Sequence, residues 1–188
     1  MNKYKEEIYG DKIILRQIQE EDIEEYYMSG FSFEDKEINR LTGTKVQATK
    51  EIIEEYVKKI VKDENRYDFL ILDKDRNIIG ESVINEFDED INAANFRIVI
   101  FKSENLEKGF GSEAIRLTIK FAFEKVNLNR LQLEVFDFNE RAQKAYKKAG
   151  FILEGKLRDG EIIDNKYCDV LIMSILKRDY FNFILAKN

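Results

Sequence analysis

The chain has 188 residues, 44% of them hydrophobic and 36% charged, and its 14 Phe and 9 Tyr suit one compact globular domain over 1–188. The absence of His excludes Ser-His-Asp and Cys-His nucleophile systems, a His general base and HExxH metal sites. Because Cys168 is the single cysteine, we expect a protein of the reducing cytoplasm that binds no metal. A net charge of −6 and the lack of a long apolar run predict no nucleic-acid or membrane partner and favour cationic ones such as amines.

The first half of the chain predicts antiparallel strands with helices between them. Gln19 to Asp22 places acids at the start of a short helix, where the helix dipole favours them. Thr49–Lys62 carries apolar residues at helical spacing, with Thr49 as the N-cap. Runs rich in β-branched and aromatic residues predict strands at Lys12–Ile18, Tyr67–Leu72, Ile78–Asn85 and Asn95–Phe101, the middle two forming a hairpin.

The second half alternates strand and helix, which is typical of parallel connections. We therefore predict a mixed α/β sheet with antiparallel N-terminal strands and parallel central strands. The predicted elements are a helix at Gly111–Lys125, a strand at Arg130–Phe136, a helix at Glu140–Ala149, a β-hairpin of Phe151–Leu157 and Lys166–Leu176 around a turn at Arg158–Asn165, and a short helix at Asp179–Leu185.

The segment from Leu106 to Ser112 has two glycines between a predicted strand and a predicted helix. Backbone N–H groups there can approach an anion, so the segment predicts a phosphate site, whereas an ordinary Gly-rich turn is the structural alternative. Gly109 to Ala114 also satisfies a G-x-G-x-x-A dinucleotide pattern, but the glycines do not follow the strand directly and too little chain remains. A phosphate-loop NTPase is excluded because that motif has a lysine between its last glycine and the Ser or Thr, whereas here Gly111 is followed directly by Ser112.

Asn139 and Tyr146 form a second pattern after the predicted strand Arg130–Phe136. Asn139 suits a helix cap, and Tyr146 lies seven residues later, so both side chains can face one crevice. A cap and a core aromatic are the structural alternative. Ligands of open α/β sheets bind at the carboxyl ends of strands, which favours a shared site with the glycine segment.

With these motifs in place, nearly the whole chain resembles the GNAT superfamily of acyl-CoA-dependent N-acetyltransferases. It is most similar to the branch that includes ribosomal-protein alanine N-acetyltransferases. The segments that carry the resemblance are Lys108–Ala114, Leu133–Asn139, Ala145–Phe151, Glu154–Gly160 and Met173–Leu176. The family's loop usually has Gln or Arg three residues before its first glycine, and here that position is Leu106.

The resemblance implies that the central strands splay apart and that acetyl-CoA, a co-substrate, lies between them. The N–H of Phe101 or a neighbour would stabilise the oxyanion, Asn139 would bind the pantetheine arm, and Tyr146 would protonate the leaving thiolate. The implied cofactor-binding residues are Ile100, Phe101, Lys108, Gly109, Phe110, Gly111, Ser112, Asn139 and Tyr146.

A general base must also remove a proton from the amine. Glu86 and Glu134 are the predicted catalytic carboxylates beside Tyr146, and Glu81 and Asp169 are further candidates. Glu134 has a structural alternative, a buried ion pair with Arg97 on the neighbouring strand.

The function predicted from the resemblance is direct acetyl transfer to a primary amine, on a protein N-terminus or a small molecule, in a ternary complex. The alternatives are a polyamine or aminoglycoside acetyltransferase and a non-catalytic acyl-CoA-binding sensor. The oligomeric state expected is a monomer or a homodimer.

Overall fold

The computed structural model describes residues 4–185. The strands are β1 (Ile8–Tyr9), β2 (Ile14–Gln17), β3 (Tyr67–Leu72), β4 (Ile78–Asp88), β5 (Ala93–Ile100), β6 (Arg130–Phe136), β7 (Ile152–Ile163) and β8 (Lys166–Leu176). The helices are α1 (Ile23–Gly30), α2 (Lys36–Thr42), α3 (Lys50–Ile60), α4 (Phe110–Glu124), α5 (Glu140–Lys148) and α6 (Lys177–Leu185).

The strands form one mixed sheet in the order β1-β2-β3-β4-β5-β6-β8-β7. The pairings from β1 to β5 are antiparallel, β5 and β6 are parallel, and β6, β8 and β7 are again antiparallel. The predicted mixed α/β class, with antiparallel N-terminal strands, a parallel centre and a C-terminal hairpin, is confirmed.

Helices cover both faces of this sheet. On one face, Ile115 and Ile119 of α4 pack with Phe96 and Leu131 in the larger apolar cluster. On the other face, Tyr26 of α1 packs with α3 side chains in a second cluster. Successive residues of a strand point to opposite faces, so the two central strands contribute side chains to both layers.

Local sequence explains most of these boundaries. The Thr49 side chain accepts a hydrogen bond from the Ile52 N–H, which confirms the predicted N-cap of α3. The strand predicted at Arg130–Phe136 is found with those bounds. Within residues 4–185, the structure contains no helix with the length and apolarity needed to cross a membrane.

Three features differ from the sequence prediction. The two-residue β1 and the short α2 carry too little apolar patterning to be recognised. The C-terminal hairpin turns at Asp164 and Asn165 and not over Arg158–Asn165, because both turn residues adopt positive φ of 51° and 59°. Positive φ at both central residues suits a tight hairpin turn, so β7 extends to Ile163.

Candidate functional site

The centre of the sheet opens into a cleft. β5 and β6 are paired at three positions, Ala93 with Arg130, Ala94 with Leu131 and Asn95 with Gln132. Past Asn95 and Gln132 the two strands no longer pair with each other, although β5 stays paired with β4 and β6 with β8. Their separated ends border a cavity of about 1110 Å³. The predicted gap between the central strands is therefore present, at their carboxyl ends.

The glycine segment forms one end of the cleft. Gly109 has a φ of +89° and is the residue before α4. The first helical hydrogen bond to Gly109 O comes from the Glu113 N–H, so the N–H groups of Phe110, Gly111 and Ser112 have no intrahelical partner. Gly109, Gly111 and Ser112 line the cleft, which places donors and the positive end of a helix dipole at its edge.

The side chains of two predicted cofactor-binding residues in this segment do not line the cleft. The Lys108 ammonium donates to Asn105 Oδ1 at 3.0 Å and is not among the lining groups of the cleft. The Phe110 ring packs against the larger apolar cluster and is also absent from the lining. Main-chain atoms of this loop, and not these side chains, are therefore what it offers to a ligand.

The free edge of β5 forms one wall of the cleft, and here the prediction for Phe101 needs correction. The Phe101 N–H donates to Ile79 O at 3.0 Å, so it belongs to the pairing with β4 and is not free for a ligand. Hydrogen-bonding direction alternates along a strand, so the N–H groups of Ile98 and Ile100 point away from β4 and toward the gap. Ile100, predicted at this site, thus has the orientation that a pairing ligand requires.

Asn139 and Tyr146 both line the cleft. Asn139 Oδ1 accepts from the Ala142 N–H at 3.1 Å and caps α5, while its side-chain NH₂ group has no protein partner among the described residues. The Tyr146 ring is buried edge-on against Phe96 and Phe151. Burial raises the pKa of Tyr146, so its hydroxyl remains a proton donor.

Of the four candidate carboxylates, the structure brings Glu81 and Glu134 to the cleft. Glu86 is exposed outside it, at a β-bulge of β4 where φ is +53°. Asp169 is also outside the lining and pairs with Lys156 at 2.6 Å. The prediction that Glu86 lies at the site is wrong in position, because the bulge falls where β4 meets the start of β5, away from the gap.

The expected ion pair between Glu134 and Arg97 does not form. Arg97 pairs with Glu81 at 3.4 Å, and Glu134 is exposed in the cleft with no hydrogen bond or ion pair to the described residues. Glu81 is buried and also accepts a 2.5 Å hydrogen bond from the Tyr26 hydroxyl. The Glu81 carboxylate is therefore held by Arg97 and Tyr26, whereas the Glu134 carboxylate has no partner among the described residues.

Behind Glu81 lies a polar network that the sequence did not indicate. Arg97 Nη2 donates to the Tyr56 hydroxyl at 2.7 Å, and Arg66 donates to the same oxygen at 3.0 Å. Arg66 in turn makes a bidentate pair with Asp68, with both distances 2.7 Å. The local signal is the spacing of Arg66, just before β3, and Asp68 on β3, whereas Tyr56 comes from α3 and Arg97 from β5.

Charged side chains are unevenly distributed on the cleft wall. Arg141, Lys144 and Lys148 lie on α5 together with Glu140, and α5 packs beside α4, whereas Glu81, Glu134 and Glu161 lie on the strands β4, β6 and β7 together with Arg97 of β5. Polar side chains of α2 and the following loop, including Asn39, Thr42 and Gln47, line the same cavity. The α5 side of the lining therefore has more cations than acids, and the strand side has more acids than cations.

Comparison with known proteins agrees with this geometry. Residues 12–152 match the family described as Acetyltransferase (GNAT) domain. Over 130 residues the chain is 32% identical to spermidine N(1)-acetyltransferase of Vibrio cholerae, covering 69% of this chain and 75% of that protein. A shorter match, 36% over 73 residues, covers 39% of this chain and 40% of the putative ribosomal N-acetyltransferase YdaF of Bacillus subtilis.

The fold comparison points the same way. A crystal structure of the Vibrio cholerae spermidine N-acetyltransferase in complex with CoA and spermine matches with a TM-score of 0.82 and 26% identity. The match covers 92% of this chain and all of that one, at 100%. The chain therefore belongs to the GNAT family, whose members use acetyl-CoA, and it is an N-acetyltransferase.

Proposed function

We propose that this protein transfers the acetyl group of acetyl-CoA to a primary amine of a small polycation, directly and within a ternary complex. The observation that carries the proposal is the uneven distribution of charge along the cleft. The N–H groups in the first turn of α4 and the excess of cations on α5 suit the phosphates of the donor. The excess of acids on the strand side, where Glu134 is unpaired, suits a cationic acceptor.

The donor fits the residues present. Phe110, Gly111 and Ser112 offer N–H groups to a diphosphate, and the Asn139 NH₂ group is available to a pantetheine amide. The free edge of β5 suits an extended arm that pairs as an added strand. In this arrangement the Ile98 or Ile100 N–H is the donor for the thioester oxygen.

The transfer step needs one group to accept a proton and one to donate it. We assign the first role to Glu134, directly or through a water, because its carboxylate is in the cleft and unpaired. The amine nitrogen forms the new C–N bond, the C–S bond breaks, and the Tyr146 hydroxyl gives its proton to the departing thiolate. Tyr146 belongs to one layer of side chains and Glu134 to the other, so they approach the gap from opposite faces.

A protein N-terminus is the second candidate acceptor, supported by the shorter match to the putative ribosomal N-acetyltransferase. The match to a spermidine acetyltransferase extends over more of the chain, and the excess of acids on the strand side of the cleft favours a polycation over a single ammonium group. We therefore rank the polyamine class first.

The test follows release of the CoA thiol from acetyl-CoA with spermidine, spermine, an aminoglycoside and a peptide with an N-terminal alanine. We expect the highest kcat/KM with a polyamine and a loss of preference as salt concentration rises, because exposed acids screen readily. A higher kcat/KM with the peptide would overturn the proposed acceptor class. Binding of CoA without thiol release across the whole set would instead indicate an acyl-CoA sensor.

A further inference from the structure

The loop that precedes α4 receives little support from its own side chains. Gly109 is the N-cap of α4 and provides no side-chain hydrogen bond to the helix. Leu106 is apolar and packs against the larger core cluster, and the Lys108 ammonium is directed to Asn105. Contacts from outside the loop therefore contribute to the conformation that leaves three N–H groups unpaired at the start of α4.

Lys12, in the turn between β1 and β2, contacts this loop from outside the cleft. Its Nζ donates to the Lys108 carbonyl oxygen at 2.9 Å, and Lys12 is not among the residues that line the cleft. A Cβ atom on Gly109 would lie 3.2 Å from the same Nζ. The ammonium group therefore occupies the space that the missing side chain of Gly109 leaves free.

The Lys12 backbone is itself fixed to α4. The Glu113 carboxylate, 5% exposed, accepts hydrogen bonds from the Asp11 N–H at 2.5 Å and the Lys12 N–H at 2.9 Å. Hydrogen bonds to a charged acceptor are among the stronger ones in proteins, and this acceptor is shielded from water. Lys12 thus contacts the loop through its ammonium group and α4 through its backbone N–H.

We propose that Lys12 is a positioning residue for the diphosphate of the acyl donor. It keeps the Lys108 carbonyl directed outward, which leaves the N–H groups of Phe110, Gly111 and Ser112 directed at the cleft. It also places a positive charge behind the loop, where it adds to the potential of the helix terminus. The inference rests on the proposed function, because it requires a diphosphate at this loop.

The test compares Lys12→Met, which removes the ammonium but keeps most of the side-chain length, with the wild type. We expect Kd for CoA and KM for acetyl-CoA to rise about five- to tenfold, with kcat unchanged, as for loss of one charged hydrogen bond. Acetylpantetheine lacks the diphosphate, so its kcat/KM should be the same in both proteins. Lys12→Arg should restore most of the affinity, because a guanidinium can donate to the same carbonyl.

Lys74→Met is the matched control, because its Nζ also donates to a backbone oxygen of the same turn, Gly10 O at 2.7 Å, without touching the loop. The inference is wrong if Lys12→Met binds CoA like the wild type, if Lys74→Met weakens binding equally, or if acetylpantetheine turnover falls by the same factor. A wild-type protein that binds no CoA would overturn the proposed function and this inference together. Normal wild-type turnover with an unaffected Lys12→Met would overturn this inference alone.

Discussion

The Tyr26 hydroxyl donates a 2.5 Å hydrogen bond to Glu81 Oε2, joining α1 to β4 at the base of the cleft. Arg97 contacts the other carboxylate oxygen at 3.4 Å and also donates to Tyr56 of α3. Burial and the negative charge of Glu81 raise the pKa of Tyr26, so its hydroxyl stays a donor. The helices over this face are thus attached to the strands through a buried carboxylate.

Replacing Tyr26 by Phe leaves one oxygen of this buried carboxylate without its donor. We expect the free energy of unfolding to fall by about 1–3 kcal/mol, measured by urea denaturation. CoA affinity should change little, because Tyr26 does not line the cleft. Tyr9→Phe is the control, since the Tyr9 hydroxyl also donates to a glutamate, Glu7, but on the surface, and no measurable change is expected there. Equal effects of the two variants would contradict this account.

Tyr146→Phe should lower kcat by about 10²-fold or more, as expected for loss of a general acid, with Kd for CoA unchanged. Because burial raises the pKa of Tyr146, the hydroxyl is protonated at neutral and moderately alkaline pH. The wild-type kcat should therefore show no fall from ionisation of this group as pH rises from 7 to about 10, near the ordinary tyrosine pKa. Steady-state kinetics with the true acceptor provides the measurement, and an unchanged kcat would remove Tyr146 from its proposed role.

Glu134→Gln should lower kcat/KM for the amine by about 10²-fold while CoA still binds, because the variant retains the shape but loses the proton acceptor. Glu86→Gln is a matched control, since Glu86 is also exposed but lies outside the cleft. A larger loss of activity in Glu86→Gln than in Glu134→Gln would reverse the assignment that the geometry supports.

Gly111→Val should abolish CoA binding measured by calorimetry. A Cβ on Gly111 has one near neighbour, Ile100 Cγ1 at 3.7 Å, so the fold tolerates it and the side chain enters the cleft beside the free N–H groups. Gly155→Val on β7 is the control, because a Cβ there meets nothing within 4 Å and Gly155 does not line the cleft. Retained CoA affinity in Gly111→Val would exclude this loop as the phosphate site.

Gln17→Leu should stabilise the protein. Gln17 is 6% exposed, and neither its Oε1 nor its Nε2 has a hydrogen-bond partner among the described residues. Removing an unsatisfied buried amide while keeping its volume should add about 1–3 kcal/mol to the free energy of unfolding. Ser82→Ala is the contrast, because Ser82 is buried but hydrogen-bonded to Thr118 at 2.6 Å, and its loss should destabilise. A lower melting temperature for Gln17→Leu would show that the amide is satisfied by water.

Sequence reasoning succeeded where one local pattern decides the structure. The strand at Arg130–Phe136, the Thr49 cap and the Asn139 cap depend on residues close together in the chain. It missed α2, whose seven residues bury one side chain, Ile38, and so show no clear apolar face. Short elements depend on tertiary contacts for their stability, and those contacts are not visible in a local pattern.

The candidate site shows the same division. The glycine loop and the pair Asn139 and Tyr146 lie on contiguous segments and were predicted together. The choice among the carboxylates depended on strand register, and the bulge that displaces Glu86 comes from positive φ at a residue that is not glycine. Whether Arg97 pairs with Glu81 or Glu134 depends on which strands diverge, which no local pattern encodes.

The three residue pairs between β5 and β6 are the hydrogen-bonded seam between the first five strands and the last three in the described sheet. A donor molecule bound along the unpaired part of β5 and β6 would connect the first five strands with the last three. Amide protons of Ile98 and Ile100 should then exchange slowly with solvent when CoA is present and rapidly when it is not. The melting temperature of the protein should likewise rise with the concentration of CoA, because the ligand binds the folded protein and not the unfolded chain.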